Sequence, residues 1–329
     1  MRDFLIAVLV LLLSHTNIVD AEVRYNGTLI DAHSQVGERI TAALVSKQIN
    51  KTDVDYTLLS FRLRKVEKTF LTIKKLTKNK VKYLIPTKLR GFTRKKVNRD
   101  RAINQIIELK KSAEQKKIEY AGFGEIIVQH APHNHKKLQY DGINLDLDSE
   151  RISRVINIVL KDKKPVILHV ELKDFPKDSQ KILKQIITMG NRFPENEFLL
   201  MHMAQIEVSD AKTLFEKTKN VHLVTSHADN EAQRRIKLGK AQQGWINLFN
   251  SEDNIKDQWL DLMNRNPERF VFALDNVWDG HWLKGYRKRV SMWRKALASL
   301  DDGVAVSIAC KNANRYFQLG IECQEDRSK

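Results

Sequence analysis

The chain has 329 residues, of which 42% are hydrophobic, and its 57 Lys or Arg against 40 Asp or Glu give a formal net charge of +17. That length supports a sizeable core in one large domain or two small ones. Two cysteines, Cys310 and Cys323, are too few for a disulfide framework or a thiolate metal cluster, and leave open either one bridge pinning the tail or two unrelated thiols.

The N-terminus reads as a secretory signal peptide over residues 1–21. Arg2 heads the apolar run FLIAVLVLLLS, and Val19-Asp20-Ala21 offers small residues for cleavage. About 11 strongly apolar residues are too few to span a bilayer, which needs about 20. The expectation is a secreted or periplasmic protein that begins near Glu22 and has no stable membrane span after cleavage. Losing Arg2, Asp3 and Asp20 moves its charge to +18.

From residue 22 to 329, short β-branched runs alternate with longer amphipathic stretches, the pattern of βα units around a parallel sheet. The strand candidates, in order, are TLIDAH (28–33), DYTLLSF (55–61), VKYLIP (81–86), FGEIIVQ (123–129), PVILHVEL (165–172), EFLLMHM (197–203), VHLVTSH (221–227) and RFVFALDN (269–276). Between them, RAINQIIELKKSAEQKK (101–117) and DSQKILKQIITMGNRF (178–193) repeat apolar residues at three- and four-residue steps, as helices do. Eight strands with crossover helices predict an α/β fold, a (β/α)8 TIM barrel in a single domain. A doubly wound open sheet is the alternative, with fewer strands. No internal repeat or low-complexity segment divides the chain. The longest connection, 228–268, is read as extra helices whose tryptophans pack rather than touch a ligand.

In such a barrel the chemistry lies at the C-terminal strand ends, so the histidines form a test independent of any motif. The chain has ten. Leaving aside His15 in the signal peptide, His33, His130, His133, His135, His169, His202, His227 and His281 fall in the C-terminal half of a strand or just after one. Only His222 begins one. Taken singly, a strand-end histidine is more often a hydrogen-bonded structural residue. The QHAPHNH segment (129–135) has loop-like spacing, and its histidines are candidates for substrate, for a second ion, or for neither.

The motifs IDAHSQ, GFGEI, PVILHVE, FLLMHM, VTSHADNE, FALDNVWDGHW and KNANRYF, in that order over nearly the whole chain after residue 21, resemble the amidohydrolase superfamily. The similarity is closest to its amidohydrolase-related TIM-barrel branch, with a fainter echo of TatD-type nucleases in GEI followed by PVILH. The resemblance implies a metal at the barrel mouth, held by a first-strand H-x-H, histidines on strands five and six and an aspartate on strand eight. Here those positions are His33 and Gln35, His169, His202 and Asp275, with Glu125 where relatives carry a carboxylate or modified lysine bridging two metals. Gln35 departs from the pattern, because an amide oxygen is a poor ligand for a zinc-like ion. Gln35, His130, His227 and His281 are the candidates for substrate contact.

Imidazoles and carboxylates together suit Zn²⁺, with Mn²⁺ or Fe²⁺ as less favoured ions. An open coordination position would supply hydroxide near neutral pH, with Asp275 as the catalytic group that moves the proton. The expected activity is metal-dependent hydrolysis of an ester, amide or lactone in a small-molecule substrate. The alternatives are the decarboxylation found among relatives, or a catalytically degenerate barrel kept as a binding or envelope protein. Nucleic acid is a poor fit as a partner, because the basic segment 93–117 has no interleaved aromatic residue and its apolar spacing explains it as an outer helix with a solvated basic face. A homo-oligomer is compatible with the sequence and not specified by it.

Overall fold

A computed structural model describes residues 23–62, 66–87, 99–135, 138–239 and 242–325. The expected signal peptide, residues 1–21, and the first residues of the basic segment, 93–98, lie outside the described residues.

Eight parallel strands run in sequential order: β1 (Ile30–Gly37), β2 (Tyr56–Arg62), β3 (Val81–Pro86), β4 (Tyr120–Ile127), β5 (Val166–His169), β6 (Phe198–Leu200), β7 (Val221–Val224) and β8 (Phe270–Val271). The ring closes between its first and last members. Ala32 N–H donates to the Phe272 carbonyl at 3.1 Å, Asp275 N–H to that of His33 at 2.8 Å, and Gln35 N–H to that of Asn276 at 2.7 Å. This is the (β/α)8 barrel, and the open-sheet alternative falls with that closure.

Among the described residues, helices lie between successive strands: α1 (Ala42–Lys51), α2 (Val66–Leu76), α3 (Arg99–Gln115), α4 (Glu150–Val159), α5 (Ser179–Arg192), α6 (Val208–Lys217), α7 (Asn230–Lys237) and α8 (Asp257–Arg265), with α9 (Tyr286–Ala298) after β8. Their starts follow from local chemistry. Thr41, Ser149 and Asp229 each accept a backbone N–H three residues on, from Leu44, Ile152 and Ala232, which satisfies an otherwise orphaned donor. Within the basic segment, Arg99–Gln115 form α3, which buries Ile106 and Ala113. No helix of the described residues is long and apolar enough to cross a membrane.

The core has two parts. The larger lies between sheet and helices. The smaller fills the barrel with Ile30, Ala32, Leu58, Leu84, Ala121, Ile167, Leu199, Val224 and Val271, and continues into Ala313, Tyr316 and Phe317 near the C-terminus. The tail thereby packs on the barrel's lower end, and a Cys310–Cys323 disulfide, Cα atoms 5.8 Å apart, ties it down. Of the two sequence alternatives for these thiols, the bridge is the one that forms.

Two boundaries differ from expectation in ways that matter for the site. β1 continues to Gly37, so Gln35 lies inside the strand with His33 rather than beyond it. β6 stops at Leu200, and His202, Met203, Ala204 and Gln205 turn with φ of 52–55°. The apolar run FLLMHM hides that turn because it contains neither glycine nor proline.

Candidate metal centre

The inward direction of the first donors comes from register. Asp31 pairs with Thr57 but Ser34 with Leu59, so β1 carries one extra residue against β2. Ala32 belongs to the barrel interior, and the extra residue lets the adjacent His33 point inward as well. Asp31 holds the irregular stretch from within: its carboxylate accepts from Ser34 Oγ at 2.6 Å and from Leu274 N–H at 2.9 Å. Burial raises its pKa to about 6 against those hydrogen bonds. A similar slip between Phe123 and Ile126 flanks Glu125 on β4.

The remaining donors sit at strand ends. His169 ends β5, and His202, His227 and Asp275 follow β6, β7 and β8 with φ of 53°, 55° and 49°. A left-handed conformation at a residue other than glycine costs about 1–3 kcal/mol and persists where the surroundings over-determine it. Here all three strained residues aim side chains at one point.

At that point His33, Glu125, His169, His202, His227 and Asp275 are all buried. Glu125, His169 and His202 offer donor atoms within 4.8 Å of one another, and so do His202, His227 and Asp275. Asp275 Oδ2 lies 3.3 Å from His227 Nε2 and 3.8 Å from His202 Nε2, and its Oδ1 lies 3.2 Å from His33 Nδ1. The last contact is poorly aligned for a hydrogen bond, and both ring nitrogens of His33 lack a hydrogen-bond partner despite complete burial. Ser226 holds His202 by its backbone N–H and by Nδ1, both at 3.1 Å, which leaves Nε2 for the centre.

Gln35 occupies the middle of this network. Its amide nitrogen donates to Glu125 Oε1 at 3.1 Å and to Asp275 Oδ1 at 2.9 Å, and its oxygen accepts from Arg62 Nε. Arg62 Nη2 also reaches Glu125 Oε1 at 3.2 Å. The amide oxygen is thus committed to a guanidinium and does not face the other donors.

The charge states suit metal binding. Burial opposes ionisation of Glu125, but the His169 hydrogen bond and charge outweigh it and hold the carboxyl below the usual carboxylate range. Burial likewise opposes ionisation of Asp275, and His227 and His33 pull it well below that range. Burial and neighbouring positive charge push His202 well below its ordinary value, and burial lowers His227 against the pull of Asp275. His33 is raised, Asp275 overcoming the effect of burial. Neutral imidazoles at His202 and His227 beside ionised carboxylates, with the orphaned nitrogens of His33, fit a zinc-like divalent ion.

The other expected residues fall around these donors. His130 stacks on His169 with centroids 4.9 Å apart, and His281 lies 5.5 Å from His227, its Nδ1 accepting the Val277 N–H at 3.2 Å. His227, assigned to substrate from sequence, sits in a donor group with Asp275. Sequence reasoning passed over four residues: Arg62, Ser226, Glu171 and Trp245. Glu171 accepts from His169 Nε2 at 2.8 Å, and its H-x-E spacing was a readable signal. Trp245 of the long connection packs, as expected, and does so against the site: its ring stacks on His227 at 4.4 Å and lies 5.9 Å from His202. Trp259 packs in the core as expected.

The structural neighbours of this parallel eight-stranded barrel are amidohydrolase-superfamily TIM-barrel proteins. One is a probable 2-pyrone-4,6-dicarboxylic acid hydrolase from Acinetobacter baumannii with citric acid bound, 11% identical, covering 88% of this chain and 99% of its own with a TM-score of 0.53. An amidohydrolase from Burkholderia multivorans with bound zinc is 12% identical over 88% of this chain and 99% of its own, TM-score 0.53. The 4-oxalomesaconate hydratase from Rhodopseudomonas palustris is 12% identical over 88% and 96%, TM-score 0.53. At these identities the likeness establishes the fold. No protein-family model and no curated protein sequence matches the chain.

Proposed function

We propose that this chain is an exported, metal-dependent hydrolase of the amidohydrolase-related branch, cleaving an ester, amide or lactone bond in a small molecule. The observation that carries the reading is the convergence of Glu125, His169, His202, His227 and Asp275, on or just after five successive strands, into two donor groups that share His202. Zinc fits the set best, with manganese or iron as substitutes. When bound, such an ion acts as a Lewis acid and lowers the pKa of a coordinated water toward about 7.

The chain's own groups supply the rest. Asp275 is ionised, with Gln35 donating to its Oδ1 and His227 and His202 facing its Oδ2, and it is the group that accepts a proton and returns it to the leaving group. Gln35 fixes the separation of the two carboxylates through one amide nitrogen. Arg62, its side chain 28% exposed, places positive charge at the rim, where it complements an anionic group on the substrate. Trp245 covers His227 and limits water there.

A catalytically degenerate, ligand-binding barrel is the second reading. It is favoured by the way Gln35 already bonds both Glu125 and Asp275. Hydrolysis assays on ester, lactone and amide panels, with chelator-stripped and zinc-loaded protein, separate the two. Zinc-dependent turnover that falls about 10²–10⁴-fold in Asp275→Asn supports the hydrolase. Ligand binding with no turnover under any metal supports the degenerate barrel. Export rests on the pattern of residues 1–21 and is supported by the Cys310–Cys323 bridge, which persists in oxidising compartments. N-terminal sequencing that found Met1 retained on a cytoplasmic form would count against it.

A further inference from the structure

The connection after β4 carries donors that the centre described above does not use. His130 lies in a two-residue strand, Gln129–His130, paired antiparallel with Ile143–Asn144. Its Nδ1 is 2.8 Å from the Ala131 carbonyl, which only accepts, so Nδ1 carries the proton and Nε2 keeps a lone pair. Glu171, fully buried, takes the Ala131 N–H on Oε2 at 2.6 Å and turns Oε1 toward His169 Nε2 at 2.8 Å. His130, His169 and Glu171 thereby offer donor atoms within 4.8 Å of one another. His130 is only partly buried, so the set opens toward solvent.

We propose that His130 Nε2, Glu171 Oε1 and His169 Nε2 form a second binding site for a zinc-class divalent cation, and that this outer site competes with the inner centre for His169. Two imidazole nitrogens and one carboxylate oxygen make a zinc-type donor set that leaves a position open to solvent. The competition follows from the histidine itself. His169 Nδ1 faces Glu125 Oε2 at 3.1 Å while Nε2 faces Glu171. A neutral imidazole has one lone pair. With the proton on Nε2 and donated to Glu171, Nδ1 is a ligand for the inner group. With the proton on Nδ1 and donated to Glu125, Nε2 is a ligand for the outer one. Glu171 changes role accordingly, orienting His169 in the first state and binding the ion in the second. Excess zinc therefore draws His169 away from the inner centre. The competition rests on the proposed inner metal centre, whereas the outer donor set stands on its own geometry.

The test is titration of Zn²⁺ and Co²⁺ into the chelator-stripped full chain, followed by calorimetry and by cobalt absorption. Wild type should show a tight and a weaker class. His130→Ala should remove the weaker class and keep the tight one, and Glu171→Gln should weaken it at least tenfold. His202→Ala should abolish the tight class and tighten the weaker one, because His169 is then uncontested. A weaker class unchanged in His130→Ala, or absent from wild type, overturns the outer site. No tightening in His202→Ala overturns the competition. A tight class that survives His202→Ala sinks the inner centre instead, leaving the His130 comparison to decide the outer site by itself.

Discussion

His169 lies between two carboxylates, and its protonation governs how the site loads. Burial alone would depress the imidazolium, but hydrogen bonds and charge from Glu125 and Glu171 outweigh it and push the pKa up to about 10. A folded pKa raised above the ordinary 6.5 stabilises the metal-free protein fully below about 6.5, and that contribution is lost as pH rises toward 10. A metal ion must displace the same proton, so apparent zinc affinity should climb by about tenfold per pH unit between pH 7 and 9. Competition titrations across that range check this, and a flat profile would mean that His169 is no ligand. Gln35 poses the complementary question. Residues 33 and 35 alternate onto one side of β1, so Gln35→His aims a second imidazole where His33 already points. It also frees Glu125 and Asp275 from the amide. Zinc should bind about tenfold more tightly, or roughly 1.4 kcal/mol. Identical titration curves for wild type and Gln35→His would place β1 outside the metal site.

Each element contributes by holding one donor at a fixed angle, and supports that lack donors matter as much. Asp229 caps α7 and forms a fully buried ion pair with Arg289 of α9 at 2.9 Å, two residues beyond His227. Asp229→Ala leaves that guanidinium unpaired in the interior and should destabilise the fold by about 3–5 kcal/mol in chemical denaturation. An Asp229→Ala, Arg289→Met double variant should recover part of that loss. At the other end of the barrel, Cys310→Ser with Cys323→Ser removes the tie on the C-terminal plug. Unfolding free energy should fall by about 2–4 kcal/mol, with zinc stoichiometry unchanged because the plug lies opposite the mouth. The elements were largely legible in the sequence because strand runs and helical periodicity are local properties. All eight strand candidates overlap an observed strand. The extra residue in β1 and the left-handed turns at His202, His227 and Asp275 were not legible, since they arise from pairing with neighbouring strands and are marked by no glycine.

At the scale of the whole molecule, closure of the ring brings residues separated by up to 242 positions, from His33 to Asp275, into one buried centre. The order of motifs along the chain anticipated that convergence for His33, Glu125, His169, His202 and Asp275. Trp245, Glu171 and Arg62 escaped it because their roles depend on which loop folds over which strand end. The pairing of strained strand ends with ionised carboxylates and neutral imidazoles makes sense as preorganisation for a divalent ion, and metal content is the quantity that decides it. Protein purified without chelators should carry about one zinc-class ion per chain by elemental analysis. Chelator-stripped protein should rebind it with a rise in melting temperature, and Asp275→Ala and His202→Ala should each lose it. Wild-type protein with no metal and no change in melting temperature on adding zinc or manganese would contradict a metal centre at this mouth.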